Sequence, residues 1–438
     1  MSVETGGSSA AEELMPTAPA AAAGLAPAAG AAEELIQLLT PEGQRIRHSD
    51  YPLDVSAREL QGLYRDLVLV RRVDTEAVGL QRQGELGLWA SLLGQEAAQV
   101  GSGRALSPQD MAFPSYREHG VAWCRGVSPL KLLELFRGVS NGGWDPAEHK
   151  FHLYTIVIGS QTLHATGYAM GVQRDGLTGG STNGDSANGD GANGDGANGN
   201  GSEAVIAYFG DGATSQGDVS EAFNWAAVNN APIVFFCQNN QWAISEPFER
   251  QSRVPIYQRS RGFGFPGLRV DGNDVLACLA VTRQALKAAR EGQGPTLIEA
   301  FTYRMGAHTT TDDPTRYRVA AELEAWKLRD PIERVKAYLL RSGAAEAGFI
   351  DEVDAEADQL GRWLRDACRA MPDPAPLSMF EHVYAGPQPI LDGERDAYAA
   401  YLDSFADTAA PPPEPDDDEA QPAQPAVAQA FARGGEEL

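Results

Sequence analysis

Residues 204–212 read AVIAYFGDG, and residues 233–240 read IVFFCQNN. Each stretch opens with an apolar run that predicts a buried strand, and each ends in glycine, aspartate or asparagine. Between them, residues 219–229 carry a helical pattern of apolar side chains. The region therefore predicts a strand, a glycine turn, a helix and a second strand that lies beside the first.

The polar residues that end both strands are candidates for ligand binding. In such a unit, ligands bind at the carboxyl ends of the strands, where backbone N–H groups and a helix N-terminus favour an anion. Asp211 and Asn240 offer one carboxylate and one amide oxygen there. Mg²⁺ prefers such oxygens and takes its other ligands from water and phosphates. Gly-Asp-Gly alone is ordinary turn chemistry, so the prediction depends on its pairing with the asparagines.

Longer stretches extend this pattern. Residues 208–247, 267–277 and 294–318 read YFGDGATSQGDVSEAFNWAAVNNAPIVFFCQNNQWAISEP, GLRVDGNDVLA and GPTLIEAFTYRMGAHTTTDDPTRYR. The GDG and NN pair resembles the diphosphate motif of thiamine diphosphate enzymes. The three stretches resemble the alpha subunit of the thiamine-dependent component of 2-oxo acid dehydrogenases, over roughly residues 51–401. The resemblance implies decarboxylation of a 2-oxo acid, followed by acyl transfer to the lipoyl group of an acyltransferase core.

The resemblance also implies a set of cofactor contacts. They are Tyr116, Arg117, Ile156, Ile158, Asp211, Gly212, Ala213, Asn240, Trp242, Ile244 and His308. An arginine at position 117 can bind a diphosphate through two hydrogen bonds of its guanidinium group, and the Tyr116 hydroxyl can donate a hydrogen bond beside it. The residues alone favour a surface ion pair of Arg117 with Glu118. The resemblance implies that the Ile158 side chain packs against the bent cofactor and holds its two rings in contact. Main-chain groups of Ile156 and Ile158 are implied to lie near the aminopyrimidine. An ordinary core strand fits the same apolar run.

The implied Mg²⁺ ligands are Asp211, Asn240 and the main-chain carbonyl of Trp242. Relatives usually have tyrosine at position 242, which makes no difference to a carbonyl ligand. Gln238 stands where some branched-chain relatives have a phosphate-binding arginine. That departure either weakens cofactor affinity or marks a pyruvate-type enzyme, and the sequence leaves both open.

His308 and Arg304 match the active-site histidine and arginine of the family. A single histidine is usually structural, and we expect this of His48, His149 and His382. The pKa of His308 is expected near neutrality, and its ring is expected to bond the diphosphate or a charged intermediate. Residues 309–311 are three threonines that resemble the site where mitochondrial relatives are inactivated by phosphorylation. Nothing in the sequence identifies a kinase.

A required carboxylic acid is absent from the predicted site. Thiamine diphosphate needs an acid at its aminopyrimidine nitrogen. After the diphosphate motif the sequence predicts helices and a tail, with no second α/β domain to carry that acid. In the family a separate beta subunit supplies it, so the resemblance implies half an active site within an α₂β₂ assembly.

Charge and cysteine usage limit the class of protein. The net charge of −25 argues against nucleic acid and anionic membrane surfaces as partners. The four cysteines lack CxxC or zinc-ligand spacing, which favours a reduced cytoplasmic protein. No apolar run is long enough to cross a bilayer, and the N-terminus lacks the pattern of a secretion signal.

Alternating helices and strands predict an α/β fold with a doubly wound, mostly parallel sheet and a helical C-terminal extension. We expect a disordered Ala/Pro-rich tail over 1–45, the thiamine-diphosphate-binding domain over 46–385, a helix over 386–408 and a disordered acidic Pro-rich tail over 409–438. Residues 178–202 are a Gly/Asn/Asp repeat, predicted to be a flexible insert. This repeat resembles acidic calcium loops only superficially, because the closing glutamate is missing.

Several functions stay open at this point. Pyruvate is favoured slightly as substrate over branched-chain 2-oxo acids such as 3-methyl-2-oxobutanoate. A non-catalytic scaffold paralogue is expected to lose Asp211, Asn240 or His308, and all three are present. A self-sufficient enzyme such as a transketolase or acetolactate synthase needs a second catalytic domain. A nicotinamide enzyme needs a GxGxxG turn, and the third glycine is missing after residue 212.

Overall fold

The computed structural model of the chain describes residues 35–140, 143–176 and 202–405, together with residues 425, 426, 428 and 429. Within these residues the strands are β1 Met111–Phe113, β2 Val205–Gly210, β3 Ile233–Asn239, β4 Trp242–Ala243, β5 Glu246–Pro247, β6 Gly267–Asp271 and β7 Thr296–Phe301. The helices are α1 Ala57–Arg82, α2 Glu96–Gly103, α3 His119–Cys124, α4 Pro129–Arg137, α5 Pro146–His149, α6 Ser160–Arg174, α7 Gly217–Asn229, α8 Phe248–Gln251, α9 Arg259–Phe263, α10 Val275–Arg290, α11 Ala320–Lys327, α12 Pro331–Ser342, α13 Ala347–Arg369 and α14 Pro389–Asp403.

Five strands form one parallel sheet in the order β1-β2-β3-β7-β6. Strands β2 and β3 are neighbours, paired from Val205 opposite Ile233 to Gly210 opposite Gln238. The helix between them is α7, so the predicted strand–turn–helix–strand unit is confirmed. Strands β4 and β5 form a separate short antiparallel hairpin directly after β3.

Successive residues of the central strands face two different cores, because side chains alternate along a strand. Ile206 and Phe236 pack in the core that contains α1, α10 and α13. Val205 and Phe235 pack in the opposite core, which contains α6 and α7. Helices therefore cover both faces of the sheet, which confirms the doubly wound α/β fold.

Local sequence signals set the helix ends. Ser56 caps α1 in a capping box with Glu59, since each side chain accepts from the other residue's backbone N–H. Asp274 caps α10 by accepting from two backbone N–H groups. Helix α12 begins at Pro331 after its cap Asp330 and ends at Gly343, whose φ of 70° suits glycine.

The prediction of a tail through residue 45 is wrong from residue 35 onward. Ile36 forms a parallel bridge with Val270 and so adds to the sheet beside β6. Leu38 and Leu39 are buried, and their backbone N–H groups donate to the Asp274 carboxylate at 2.6 and 2.5 Å. The apolar run LIQLL over 35–39 supplies this buried surface.

The C-terminal helix α14 falls within the predicted range and has no buried residue. It contacts the short 3₁₀ helix Pro376–Phe380. Of the predicted tail over 409–438, Ala428 is buried against the core, so the prediction of disorder is wrong there. The insert over 178–202 lies outside the described residues except for Ser202. None of the helices in the described ranges is long and apolar enough to cross a membrane.

Candidate active site

A cleft that is partly open to solvent lies at the carboxyl ends of the parallel strands. The segments that follow β1, β2, β3 and β7 all contribute to it, as expected for a ligand site in a parallel α/β sheet. Its lining consists of Gln95, Ser115, Tyr116, Arg117, Glu118, Ile158, Gln161, Gly210, Asp211, Gly212, Ala213, Gln216, Gln238, Asn240, Trp242, Ala243, Ile244, Arg304 and His308. All predicted site residues except Ile156 are in this set.

Asp211 is fully buried at the end of β2. One carboxylate oxygen accepts from the Asn240 backbone N–H at 3.2 Å, and the other accepts from Nε2 of Gln251 at 3.0 Å. Burial raises the pKa of Asp211 to about 6. None of the ion pairs in the described residues involves this carboxylate. A buried carboxylate without a bonded cation is suited to bind one.

Asn240 and Trp242, which line the cleft together with Asp211, carry two further oxygens. The amide oxygen of Asn240 accepts from the Trp242 backbone N–H at 3.3 Å. The Trp242 carbonyl accepts from Arg304 at 3.1 Å and keeps one lone pair. Carboxylate, amide and carbonyl oxygens are the ligands that Mg²⁺ uses, so the residues fit this ion. No group of three or more His, Cys, Asp or Glu side chains that could hold a metal occurs in the described parts of the chain.

Gly212 lets the turn after β2 approach the hairpin closely. A Cβ atom at this position would lie 2.7 Å from Cβ of Ala243, so a larger residue would push the two segments apart. Gly212 and Ala213 lie in a short 3₁₀ helix, Asp211–Ser215, that leads into α7. Both predicted residues line the cleft.

Ile244 has an unusual backbone conformation at the mouth of the cleft. Its φ of 56° is in the left-handed region, which is unfavourable for a β-branched residue. Its carbonyl accepts from Arg304 at 2.7 Å, and its side chain is about half exposed. Strain of this kind persists where surrounding contacts hold it, and it is common in ligand sites.

Arg117 is buried and does not form the surface ion pair with Glu118. Its guanidinium donates to the carbonyls of Ser91 at 2.5 Å and His308 at 2.8 Å. Its charge lies 5.6 Å from the ring centre of Tyr116, and both residues line the cleft. Burial raises the pKa of Glu118, whose carboxylate accepts from the Ser115 hydroxyl.

His308 lies in the loop after β7, between two guanidinium groups. Arg117 and Arg304 both contact its Nδ1 at 3.3 Å. Burial and these two charges lower the pKa of His308 to about 3, so the expectation of a pKa near neutrality is wrong. Because both neighbours are donors, Nδ1 accepts and the proton of the neutral ring is assigned to Nε2. The Asp312 carboxylate accepts from the His308 backbone N–H at 2.9 Å.

Residues 156–158 are not a core strand. They form a loop before α6, and Ile156 is 67% exposed, Val157 72% and Ile158 37%. Ile158 lines the cleft, whereas Ile156 does not. Exposed aliphatic side chains at the edge of a cleft are available to contact a ligand or a second chain.

Sequence reasoning assigned no role to two polar residues of the site, Gln95 and Gln251, and it did not identify Glu118 and Gln238 as partners of each other. Gln238 donates to Glu118 at 2.7 Å and accepts from Gln99 at 2.9 Å, both buried. Tyr317 also went unassigned, and its hydroxyl bonds both Arg304 and Asp312. For Gln95, the signal available in the sequence was its position beside a glycine turn. The hydrogen-bond partner of Gln95 comes from a distant segment, so the sequence did not reveal this pair.

The chain is similar in sequence to known dehydrogenase subunits. A family model described as "Dehydrogenase E1 component" matches residues 64–362. The chain is 44% identical over 370 residues to the 3-methyl-2-oxobutanoate dehydrogenase subunit alpha of Mycobacterium tuberculosis, covering 84% of this chain and 94% of the relative. It is 36% identical over 347 residues to the pyruvate dehydrogenase E1 component subunit alpha of Acholeplasma laidlawii, covering 78% and 93%. The corresponding subunit of Bacillus subtilis is 34% identical over 329 residues, covering 74% and 82%. The chain therefore belongs to the dehydrogenase E1 component family.

Proposed function

We propose that this chain is the alpha subunit of a 2-oxo acid dehydrogenase. The reaction is oxidative decarboxylation of a 2-oxo acid, with transfer of the acyl group to the lipoyl group of an acyltransferase component. The observation that carries the proposal is the cleft itself, where the buried Asp211 and Asn240 oxygens and the Arg117, Arg304 and His308 side chains meet at the carboxyl ends of parallel strands.

The cleft fits thiamine diphosphate with Mg²⁺. Asp211, Asn240 and the Trp242 carbonyl would hold the metal, and Gly212 with Ala213 would lie against the diphosphate. When bound, the cofactor supplies a nucleophilic carbon and an electron sink for decarboxylation. The raised pKa of the buried Asp211 supports this assignment, because a divalent cation offsets the cost of burying its charge.

The cationic side of the cleft has a separate role. Arg117 beside Tyr116 and Arg304 beside His308 supply positive charge. The neutral His308 presents Nε2–H as a donor. These groups would bind the diphosphate or the carboxylate of the substrate and stabilise negative charge during transfer. Ile158 would pack against the cofactor, as its position in the cleft allows.

The acid for the aminopyrimidine would come from a second protein. The only carboxylates in the lining of the described cleft are Asp211 and Glu118. Asp211 is assigned to the metal, and Glu118 is bonded to Ser115 and Gln238. A beta subunit in an α₂β₂ heterotetramer would supply the acid, and the lipoyl-bearing acyltransferase core would receive the acyl group. The four cysteines are unpaired, in keeping with a cytoplasmic location.

Two substrates are candidates. The sequence motifs favour pyruvate slightly, whereas the 44% identity to a 3-methyl-2-oxobutanoate dehydrogenase subunit favours a branched-chain 2-oxo acid. Co-expression with candidate beta subunits, followed by turnover of each 2-oxo acid with an artificial electron acceptor, separates them. We expect turnover of at least one substrate, and its loss in Asp211→Ala. Turnover of neither substrate by any correctly assembled heteromer would instead support the scaffold paralogue.

A further inference from the structure

The cleft contains a buried amide that is not among the groups assigned to the metal, the diphosphate or the substrate. Gln95 is fully buried, lies in the turn before α2 and lines the cleft. Its amide oxygen accepts from Nδ2 of Asn240 at 3.2 Å. Its amide nitrogen is buried and has no hydrogen-bond partner in the part of the chain that the structure describes. An unpaired buried donor is costly, so its presence in a ligand cleft points to an acceptor on the ligand.

The backbone around Gln95 is held rigidly. The Gln95 N–H donates to the Leu92 carbonyl at 2.8 Å, and the Gly94 N–H donates to the Glu96 carboxylate at 2.9 Å. The Gly94 carbonyl accepts from the Thr302 hydroxyl at 2.9 Å, which ties this turn to the segment after β7. A side chain that starts from a fixed backbone can orient its neighbour at little cost in entropy.

The neighbour that Gln95 orients is Asn240. A carboxamide can rotate by 180° and exchange its oxygen and nitrogen. Gln95 accepts from the Nδ2 end, and the Trp242 N–H donates to the Oδ1 end at 3.3 Å. Reversal of the Asn240 amide would break both bonds and direct an NH₂ group at the metal position.

We propose that Gln95 positions the oxygen of Asn240 toward the metal and that its own free N–H binds an anionic oxygen of the ligand, such as a diphosphate oxygen. This inference rests on the proposed function, because it assigns a further residue to the same site. The amide oxygen of Gln95 would then act on the metal through Asn240, and its N–H would bind the diphosphate directly.

Two variants separate these roles in the heteromer with its beta subunit. Gln95→Leu removes both the acceptor and the donor, whereas Gln95→Glu keeps an acceptor for Asn240 and replaces the donor with oxygen. The control is Gln61→Leu on α1, where the lost bond is to the Ala344 carbonyl, outside the cleft. Calorimetry measures thiamine diphosphate binding over a range of Mg²⁺ concentrations, so the readout is independent of turnover.

We expect Gln95→Leu to raise the half-saturating Mg²⁺ concentration about ten- to a hundredfold, as is typical when a group that orients a metal ligand is lost. Gln95→Glu should keep a Mg²⁺ requirement near that of the parent but bind thiamine diphosphate more weakly at saturating Mg²⁺. Gln61→Leu should match the parent in both measurements.

Parent-like binding by Gln95→Leu would overturn the inference. An equal loss of Mg²⁺ affinity in both Gln95 variants would overturn the positioning role. If Gln95→Leu fails to assemble, parent-like cofactor affinity in Gln95→Glu would overturn the donor role. If the parent heteromer itself binds no thiamine diphosphate, the proposed function fails, and that result is distinct from failure of the variants alone.

Discussion

At the residue scale, the site is formed by polar and charged side chains from separate segments of the chain. The positions of Asp211 and Asn240 at one edge of the sheet could be predicted, because each residue comes at the end of a recognisable buried strand. Parallel neighbouring strands bring these ends together. The pKa of His308 could not be predicted. It depends on Arg117, which is 191 residues away in sequence, and on burial of the loop that carries the ring. For the same reason, the hydrogen-bond partner of Gln95 could not be identified.

Binding of Mg²⁺ should depend on pH through Asp211. Its raised pKa of about 6 means that the carboxylate is mostly charged at pH 7 and mostly protonated at pH 5. A protonated carboxyl group does not ligate Mg²⁺, so affinity should fall about tenfold from pH 7 to pH 5. Calorimetry of Mg²⁺-dependent cofactor binding at these pH values tests this, with Mg²⁺ binding to free thiamine diphosphate as control. An affinity that does not change over this range contradicts it.

The His308→Ala variant should lose acyl transfer more than cofactor binding. The neutral ring offers one donor to developing negative charge, and loss of such a contact typically costs about a hundred- to a thousandfold in rate. We expect reductive acylation of a lipoyl domain to fall by that factor, while cofactor affinity changes less. His382→Ala, on an exposed stretch, is the control. Equal acylation by His308→Ala and the parent would make His308 a structural residue.

At the scale of elements, the ends of a helix can be recognised from the sequence where a local signal sets them. The capping box of α1 and the Asp274 cap of α10 are complete within a few residues of sequence. The predicted end of the N-terminal tail was wrong because the composition was averaged over residues 1–45. This average concealed the short apolar run at 35–39. The loop over 156–158 was ambiguous because exposed aliphatic residues at a ligand site have the same composition as a core strand.

Substitution of Leu39 should test the revised boundary. Leu39 is fully buried beside the sheet, and a Leu→Ala change in a core costs about 2–5 kcal/mol. We expect Leu39→Ala to lower the free energy of unfolding by that amount, measured by denaturant titration. Arg47→Ala, at an exposed position in the same segment, should have a small effect. If the two variants are equally stable, the segment does not contribute to the core.

Replacement of the 178–202 insert tests the prediction made from its composition. A Gly/Asn/Asp repeat has too little apolar surface to form a core, and the entropy of loop closure varies slowly with length. We expect a short Gly/Ser link in its place to leave turnover of the heteromer within a few-fold of the parent. A collapse in turnover or in subunit assembly would indicate that the insert contacts a partner.

At the scale of the whole molecule, the described cleft has a cationic side formed by Arg117 and Arg304, and Asp211 and Glu118 are the only carboxylates in its described lining. Exposed aliphatic residues, Leu88, Ile156, Val157 and Ile244, are available for contact with a second chain. Beyond β7 the described residues contain only helices among their regular elements. These features agree with a subunit that shares its active site with a partner.

We infer that this chain holds the cofactor but cannot complete the active site alone. The most direct measurement is the rate of 2-oxo acid decarboxylation by the purified chain, by its candidate beta subunit and by the co-expressed heteromer, each with thiamine diphosphate and Mg²⁺. We predict turnover by the heteromer alone, and its loss when the alpha chain carries Asp211→Ala. Turnover by the isolated chain at the rate of the heteromer would contradict the claim, because the chain would then supply every catalytic group itself.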